Sequence, residues 1–275
     1  MSDHLTLSAA QSLGSQEAFR STFFRFGDAC QILLLPTGTA IAALALWQTI
    51  VSFAEVPHTI LPPPTEVAEQ LVEHFSLLMK HAVPTTLETL LAFGVSIPLA
   101  VALAAAMTWS KMIQRALYPN IVFFQLIPKV ALAPMFVVWL GINAPSRVTF
   151  AVFLCFFPIL IATATGLQAV NRDTLRLCRS VGASDWQILV QVRFPTAITY
   201  IFSGMKIAVT LAIIGVVVGE FIASQAGLGY LILFASSRQL TDLCLACIAV
   251  LCAIGLLLYG LVALGEWAMA RRYGH

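Results

Sequence analysis

Residues 29–54, 148–171 and 243–265 contain no Asp, Glu, Lys or Arg. A helix needs about 20 consecutive apolar residues to cross the hydrocarbon of a bilayer. Because lipid offers no partners to backbone polar groups, each such run has to satisfy its own hydrogen bonds as a helix. A fourth run, 89–110, lies between Glu88 and Lys111, and its Gly94 and Pro98 are tolerable in a spanning helix. Two further apolar stretches carry charge: 116–141 includes Lys129, and 203–222 includes Lys206 and Glu220. End charges can snorkel to the headgroups, whereas Lys129 falls near the middle of its stretch. The expectation is an all-α integral membrane protein with six transmembrane helices. Composition agrees, with 10% charged residues where a soluble domain carries about a quarter.

The positions of Lys and Arg test this count independently of hydropathy. With both termini on the cytoplasmic side, that side receives Arg20, Arg25, Lys111, Arg115, Arg172, Arg176, Arg179, Arg193, Lys206, Arg271 and Arg272, and the outer loops only Lys80, Arg147 and Arg238. Five or seven spans would put Arg271 and Arg272 on the wrong face. A net charge of +2 gives no reason to expect nucleic acid as a partner. Residues 1–28 are polar, without the apolar core of a cleavable signal, and are expected to be a cytoplasmic tail before a retained first span. Cys155, Cys244, Cys247 and Cys252 fall within spans, and Cys30 and Cys178 at or beyond the cytoplasmic face, so no disulfide framework is expected. His4, His58, His74, His81 and His275 all fall outside the expected spans, which argues against a membrane enzyme.

The chain divides by expectation into the tail 1–28, a first span with an outer amphipathic segment over 29–80, a permeation domain over 81–265, and a cytoplasmic tail over 266–275. Leu61-Pro62-Pro63-Pro64-Thr65 stops any helix, and Thr65 can cap a new one. Val67, Leu71, Phe75 and Leu78 then recur at helical spacing opposite Glu66, Glu69 and Glu73. That acidic face either meets a soluble partner or is simply solvated. The third span, with Pro119, Pro128 and Pro134, is kinked or broken, which at membrane depth suits a segment lining a cavity. In the fifth, Ala208, Ala212, Gly215 and Gly219 share one face, for close packing either within the subunit or across a dimer axis. Gly227 and Gly229 break the outer loop that follows, where Arg238 and Asp242 either pair or cap the sixth span.

Asn171 to Pro195, the longest polar interruption on the cytoplasmic side, reads as helix, turn, helix. Arg172, Arg176 and Arg179 share a face, Gly182 stops the first helix, Ser184 and Gln187 form a capping box for the second, which carries Trp186, and Pro195 ends it. The segment Cys178-Arg179-Ser180-Val181-Gly182-Ala183-Ser184, with Val192 and Phe194-Pro195 at fixed distance beyond, resembles the EAA loop of binding-protein-dependent ABC transporter permeases. The Glu-Ala-Ala itself is replaced by Arg176-Leu177-Cys178. Leu126-Ile127-Pro128-Lys129-Val130-Ala131-Leu132-Ala133-Pro134, Phe156-Phe157-Pro158-Ile159, Gly215-Val216-Val217-Val218-Gly219-Glu220-Phe221 and Gly227-Leu228-Gly229-Tyr230 resemble the nitrate/sulfonate/taurine/bicarbonate branch, nearest to members carrying pyrimidine vitamin precursors or riboflavin.

The resemblance implies the type I ABC importer permease fold in a bacterial inner membrane. It also implies a dimer of ATPase subunits gripping 171–195 through Arg176, Arg179, Gly182, Ala183, Ser184, Trp186 and Pro195, a periplasmic solute-binding protein, and a second permease subunit. The chain has no Gly-x-x-x-x-Gly-Lys-[Ser/Thr], so ATP and Mg are expected on the partner and no cofactor on this chain. Pro128, Lys129 and Glu220 are candidates for the wall of a pathway taking a small anionic or heterocyclic solute. Alternatively Lys129 and Glu220 form a mutual or dimer-related ion pair that only specifies packing. The competing reading is a secondary transporter driven by an ion gradient, against which stands the scarcity of intramembrane carboxylates.

Overall fold

The structure is a computed structural model and describes residues 34–54 and 57–273. The tail 1–28 and Cys30 lie outside the described residues. The chain divides into two units at Glu66/Val67. In the first, helix α1 (Leu34–Phe53) is long and apolar enough to span a membrane, and the backbone N–H of Thr65 donates to Gln48 Oε1 at 3.4 Å. Helix α2 (Pro64–Glu73) opens on Pro64 itself rather than on a Thr65 cap, because a proline at the first helical position gives up an N–H that would be orphaned anyway.

The second unit is a helical bundle. It comprises α3 (Phe75–Trp109), α4 (Lys111–Leu126), α5 (Ala133–Leu140), α6 (Ala144–Gln168), α7 (Arg172–Ser180), α8 (Asp185–Ile188), α9 (Phe194–Ala223), α10 (Leu228–Ser237) and α11 (Thr241–Tyr273). Among the described residues of the whole chain five helices, α1 included, are long and apolar enough to cross a membrane, and the bent pair α4 and α5 makes six if it is one span. Among the described residues every regular element is helical.

Three elements differ from the sequence expectation. Helix α3 starts at Phe75, well before the charge-free run that begins at residue 89, so Phe75 and Leu78 belong to it and not to the amphipathic α2. At 1.5 Å per residue its 35 residues extend about 52 Å, well beyond the roughly 30 Å of hydrocarbon. The helix can run through Glu88 because that carboxylate is paired inside the bundle.

The second difference is the broken span, whose halves meet at 89°. Pro119 is carried inside α4, and Pro134 falls in the first turn of α5. The break comes from Pro128, whose ring disfavours the helical conformation at the preceding residue. Ile127 is accordingly extended, with φ −69° and ψ 131°. A short 3₁₀ turn, Lys129–Leu132, then leads into α5.

Third, Pro195 does not end the second helix of the 171–195 segment. It sits in the first turn of α9, and a π-helical stretch, Leu189–Arg193, joins α8 to α9. Proline in a regular helix clashes with the carbonyl four residues back. The wider turn relieves this, the Phe194 N–H bonding instead to the carbonyl of Leu189, five residues back. The result is one continuous helical run, Asp185–Ala223, of 39 residues.

The core is the antiparallel pair α6 and α9, which approach backbone to backbone. A Cβ added at Gly215 would stand 2.8 Å from Ala151 Cα, one at Gly204 3.0 Å from the Pro158 carbonyl oxygen, and one at Gly166 3.0 Å from Ala197 Cα. Between them the Cys155 thiol donates to the Ala208 carbonyl at 3.3 Å. The small-residue face of α9 is thus occupied within the subunit. Hydrophobic association is weak between helices in lipid, and close approach of small residues supplies van der Waals contact in its place. Gly215→Val is therefore expected to cost about 1–3 kcal/mol by overpacking. Gly260, where an added Cβ would meet nothing within 4 Å among the described residues, should accept alanine with little change. Thermal unfolding of the two variants in detergent measures the difference.

Candidate functional site

Two regions at opposite ends of α6 and α9 hold most of the polar chemistry. At one end lies the 171–195 segment. The Asn171 side chain caps α7 by accepting from the Asp173 N–H at 3.0 Å. The helix ends on Gly182 at φ +82°, a left-handed conformation that glycine adopts without penalty. The Ala183 N–H reaches back to the Cys178 carbonyl at 3.0 Å, closing the turn. Ser184 and Gln187 form the expected reciprocal capping box: Gln187 Oε1 accepts from Ser184 N–H at 2.8 Å and Ser184 Oγ from Gln187 N–H at 3.3 Å. Arg179 bridges the turn to Asp185 at 3.6 Å, and Arg176 pairs with Asp173 at 3.4 Å. Both pairs are exposed and contribute little stability.

The segment is anchored to the bundle at two points. Arg193 donates to the carbonyl of Leu167 at 3.1 Å, holding the π turn against the last turn of α6. Trp186 packs beside Trp109 at the end of α3, ring centroids 6.1 Å apart. Leu177, Val181 and Trp186 remain largely exposed at 65%, 76% and 62%, an apolar surface flanked by arginines.

At the other end Glu220, 1% exposed, closes a polar cluster that joins α3, α6, α9 and α10. One oxygen accepts from the Thr85 hydroxyl at 2.7 Å and the other from the Gly229 N–H at 2.6 Å. Thr85 in turn accepts from the Leu228 N–H at 2.9 Å. The carboxylate thus sits at the N-terminus of α10, where orphan N–H groups and the helix dipole favour negative charge. Gly227, at φ +106°, and Gly229 leave the space that Glu220 fills, since a Cβ at 229 would meet both its side chain and the Val217 carbonyl. The Gly227 N–H donates to His81 Nδ1 at 3.1 Å, and the His81 ring stacks on Tyr230 at 5.9 Å.

Beside this cluster Arg147, in the first turn of α6, grips Glu88 of α3 with both edges of its guanidinium, Nε to Oε2 at 2.9 Å and Nη2 to Oε1 at 2.5 Å. Its third nitrogen donates to the Ala223 carbonyl at 2.9 Å. Lys206 and Glu266 form a second pair between α9 and α11.

Lys129 and Glu220 do not pair with each other in this chain. Glu220 is enclosed as described, while Lys129 stands at the bend, next to Pro128, with its ammonium 5.2 Å from the centre of the Phe157 ring. The expected Arg238–Asp242 pair does not form either. Arg238 lies over Phe234, and Asp242, in the first turn of α11, accepts from the Leu243 N–H at 2.8 Å. Glu88, Arg147, Thr85 and His81 were not singled out by the sequence. The available signal was a Glu and an Arg each bordering a charge-free run. No cluster of metal-ligating residues occurs among the described residues.

Residues 96–269 match the family described as "Binding-protein-dependent transport system inner membrane component". The chain belongs to this family. It is 34% identical to a probable ABC transporter permease protein of Haemophilus influenzae over 239 residues, covering 87% of this chain and 96% of that protein. With the formylaminopyrimidine transport permease protein ThiX of Halalkalibacterium halodurans the identity is 33% over 210 residues, covering 76% and 82%. In fold it resembles the MetNI methionine ABC transporter in an inward-facing conformation, with TM-score 0.60 and 16% identity over 74% of this chain and 99% of that one. The chain is thus a multi-pass inner-membrane permease subunit of an ABC importer, a family that works with an ATPase and a solute-binding protein and is not itself enzymatic.

In this permease, removing Arg147 strands a buried carboxylate. Arg147→Met is expected to destabilise the bundle by about 3–5 kcal/mol, while the double change Glu88→Met with Arg147→Met should recover most of the loss. Comparing unfolding midpoints of the single and double variants tests this. A double variant no more stable than the single would contradict the pairing.

Proposed function

We propose that this importer permease forms one half of the pathway for a small anionic or heterocyclic solute, and that its 171–195 segment is the handle through which a separate ATPase moves it. A second permease subunit, identical or closely related, completes the pathway. ATP and Mg are held by the ATPase, and a solute-binding protein delivers the cargo at the opposite face. Both termini and the 171–195 segment are cytoplasmic, in keeping with the bias of Lys and Arg toward that side.

The observation that carries this reading is the unbroken run from Asp185 to Ala223. A load applied at the Ser184-capped start of α8 reaches α9 without a flexible joint, and α9 passes it to α6 through direct backbone contact. Exposed Leu177, Val181 and Trp186 supply apolar contact, and Arg176 and Arg179 supply charge, for a groove on the ATPase. Pro195, placed where the π turn enters α9, keeps this joint in its wide form. The heterocycle in the name of a relative one third identical supports the solute class.

Among the described residues, chain neighbours aside, nothing lies within 4 Å of a Cβ placed at Gly182, so a side chain there meets the left-handed strain of about 1–2 kcal/mol and whatever docks outside. ATP-driven uptake by the reconstituted complex, with its binding protein, is expected to fall for Gly182→Ala and to be abolished for Gly182→Trp, with permease levels in the membrane maintained. Parental uptake by the Trp variant would refute docking at this turn.

A further inference from the structure

A cavity of about 720 Å³ opens between α4 and α6 near the 171–195 end, with Gln114, Arg115, Tyr118, Gln125, Thr165 and Gln168 among its lining residues. This is within the range of small-molecule sites, about 300–1,000 Å³. Gln114 and Gln168 bond to each other across it at 3.2 Å. On α6 the lining continues from Gln168 through Thr165 to Leu160 and Ile161, and one turn further stands Phe157, whose face carries Lys129. Gln168 and Phe157 are separated by about 16 Å of helix at 1.5 Å per residue. That is half of a roughly 30 Å hydrocarbon layer, so the bend with its lysine lies near mid-depth when Gln168 is near the surface.

Among the described lining residues Arg115 is the one charged group. The lining contains no Asp or Glu, and no carboxylate lies within ion-pair distance of Arg115 or Lys129 among the described residues. An ammonium at membrane depth with only an aromatic face beside it is costly unless water or an acceptor-bearing solute reaches it. The guanidinium and the ammonium are donors without acceptors, five N–H on arginine and three on lysine, while the Gln, Thr and Tyr side chains of the lining both donate and accept.

We infer that this cavity is the inward vestibule of the pathway and that its wall, with Arg115 at the mouth, together with Lys129 at the bend one helical turn beyond it, admits solutes rich in hydrogen-bond acceptors, anionic or heterocyclic, and rejects cations. The inference rests on the reading of this chain as half of a pathway. It adds the place at which this chain selects, and the rejection of cations there, neither of which that reading gives. Lys129 acts here on the passing solute directly, its three donors facing ring nitrogens, carbonyls or acid oxygens while the Phe157 ring holds the ammonium in place through its π face.

The test needs no knowledge of the natural solute. In the assembled transporter, with native cysteines replaced by serine or alanine, Gln125→Cys is exposed from the cytoplasmic side to an anionic and to a cationic methanethiosulfonate reagent, each rate divided by that for free cysteine. The anionic reagent is expected to be favoured at least fivefold, and Lys129→Met or Arg115→Gln to bring the ratio toward one. A ratio near one in the parent, or one unmoved by both substitutions, overturns the inference. Two further arms identify the source of the bound acceptor. Protection of the cysteine by ethanesulfonate in pure phosphatidylcholine supports a soluble solute, whereas protection only on adding phosphatidylglycerol assigns the wall to a lipid headgroup and overturns the vestibule. If the anion preference holds while the Gly182 series leaves ATP-driven uptake intact, the vestibule stands and the coupling reading alone fails.

Discussion

The backbone contact between α6 and α9 is the constraint on which the rest of the bundle depends. Gly166, Gly204 and Gly215 remove the side chains that would hold the two helices apart, and Ala151, Ala197, Ala208 and Ala212, all fully buried, line the same seam. In water such a seam would be reinforced by hydrophobic burial, but lipid tails compete for apolar surface on nearly equal terms. Contact density and a few polar bonds must therefore hold it. The 171–195 segment leaves one end of α6 and enters one end of α9, and the Glu220 cluster sits at the opposite ends, so both polar regions inherit their geometry from this one pair.

The two ends use polar groups differently. Around Glu220 every strong group is enclosed and answered: a carboxylate by a hydroxyl and a helix N–H, a guanidinium by a second carboxylate and a carbonyl. Such groups are costly to leave unpaired and specific once paired, which suits a place that must join α3, α6, α9 and α10 in one arrangement. At the 171–195 end the arginines and large apolar side chains are exposed and the ion pairs are weak. This suits a surface whose proper partner is another polypeptide.

Much of this could be read from the residues, and the misreadings share a cause. The Asn171–Pro195 helix pair was legible because its signals are local: a capping box, a glycine stop and an arginine face each act within a few residues. The small-residue stripe on α9 was legible as a face, although only coordinates tell that Ala151 lies against it. Glu88 and Arg147 were missed because charges were used to mark where spans end, and that logic fails when two opposite charges meet inside the bundle. Pro195 looks like a helix stop in the sequence because the rule for proline assumes regular i to i−4 bonding, and a π turn evades that assumption. Likewise, of Pro119, Pro128 and Pro134, only Pro128 breaks the chain, since helix interiors and first turns tolerate the other two in this setting.

The Glu88–Arg147 pair also carries a consequence for biogenesis. Its partners are 59 residues apart, and at ribosomal speeds of about 5–20 residues per second the arginine follows the glutamate by roughly 3–12 s. During that interval α3 carries a carboxylate whose counter-ion does not yet exist. The ionic clasp between α3 and α6 can therefore close only once Arg147 has been made, so α3 is joined to the bundle at this point after its own synthesis is over.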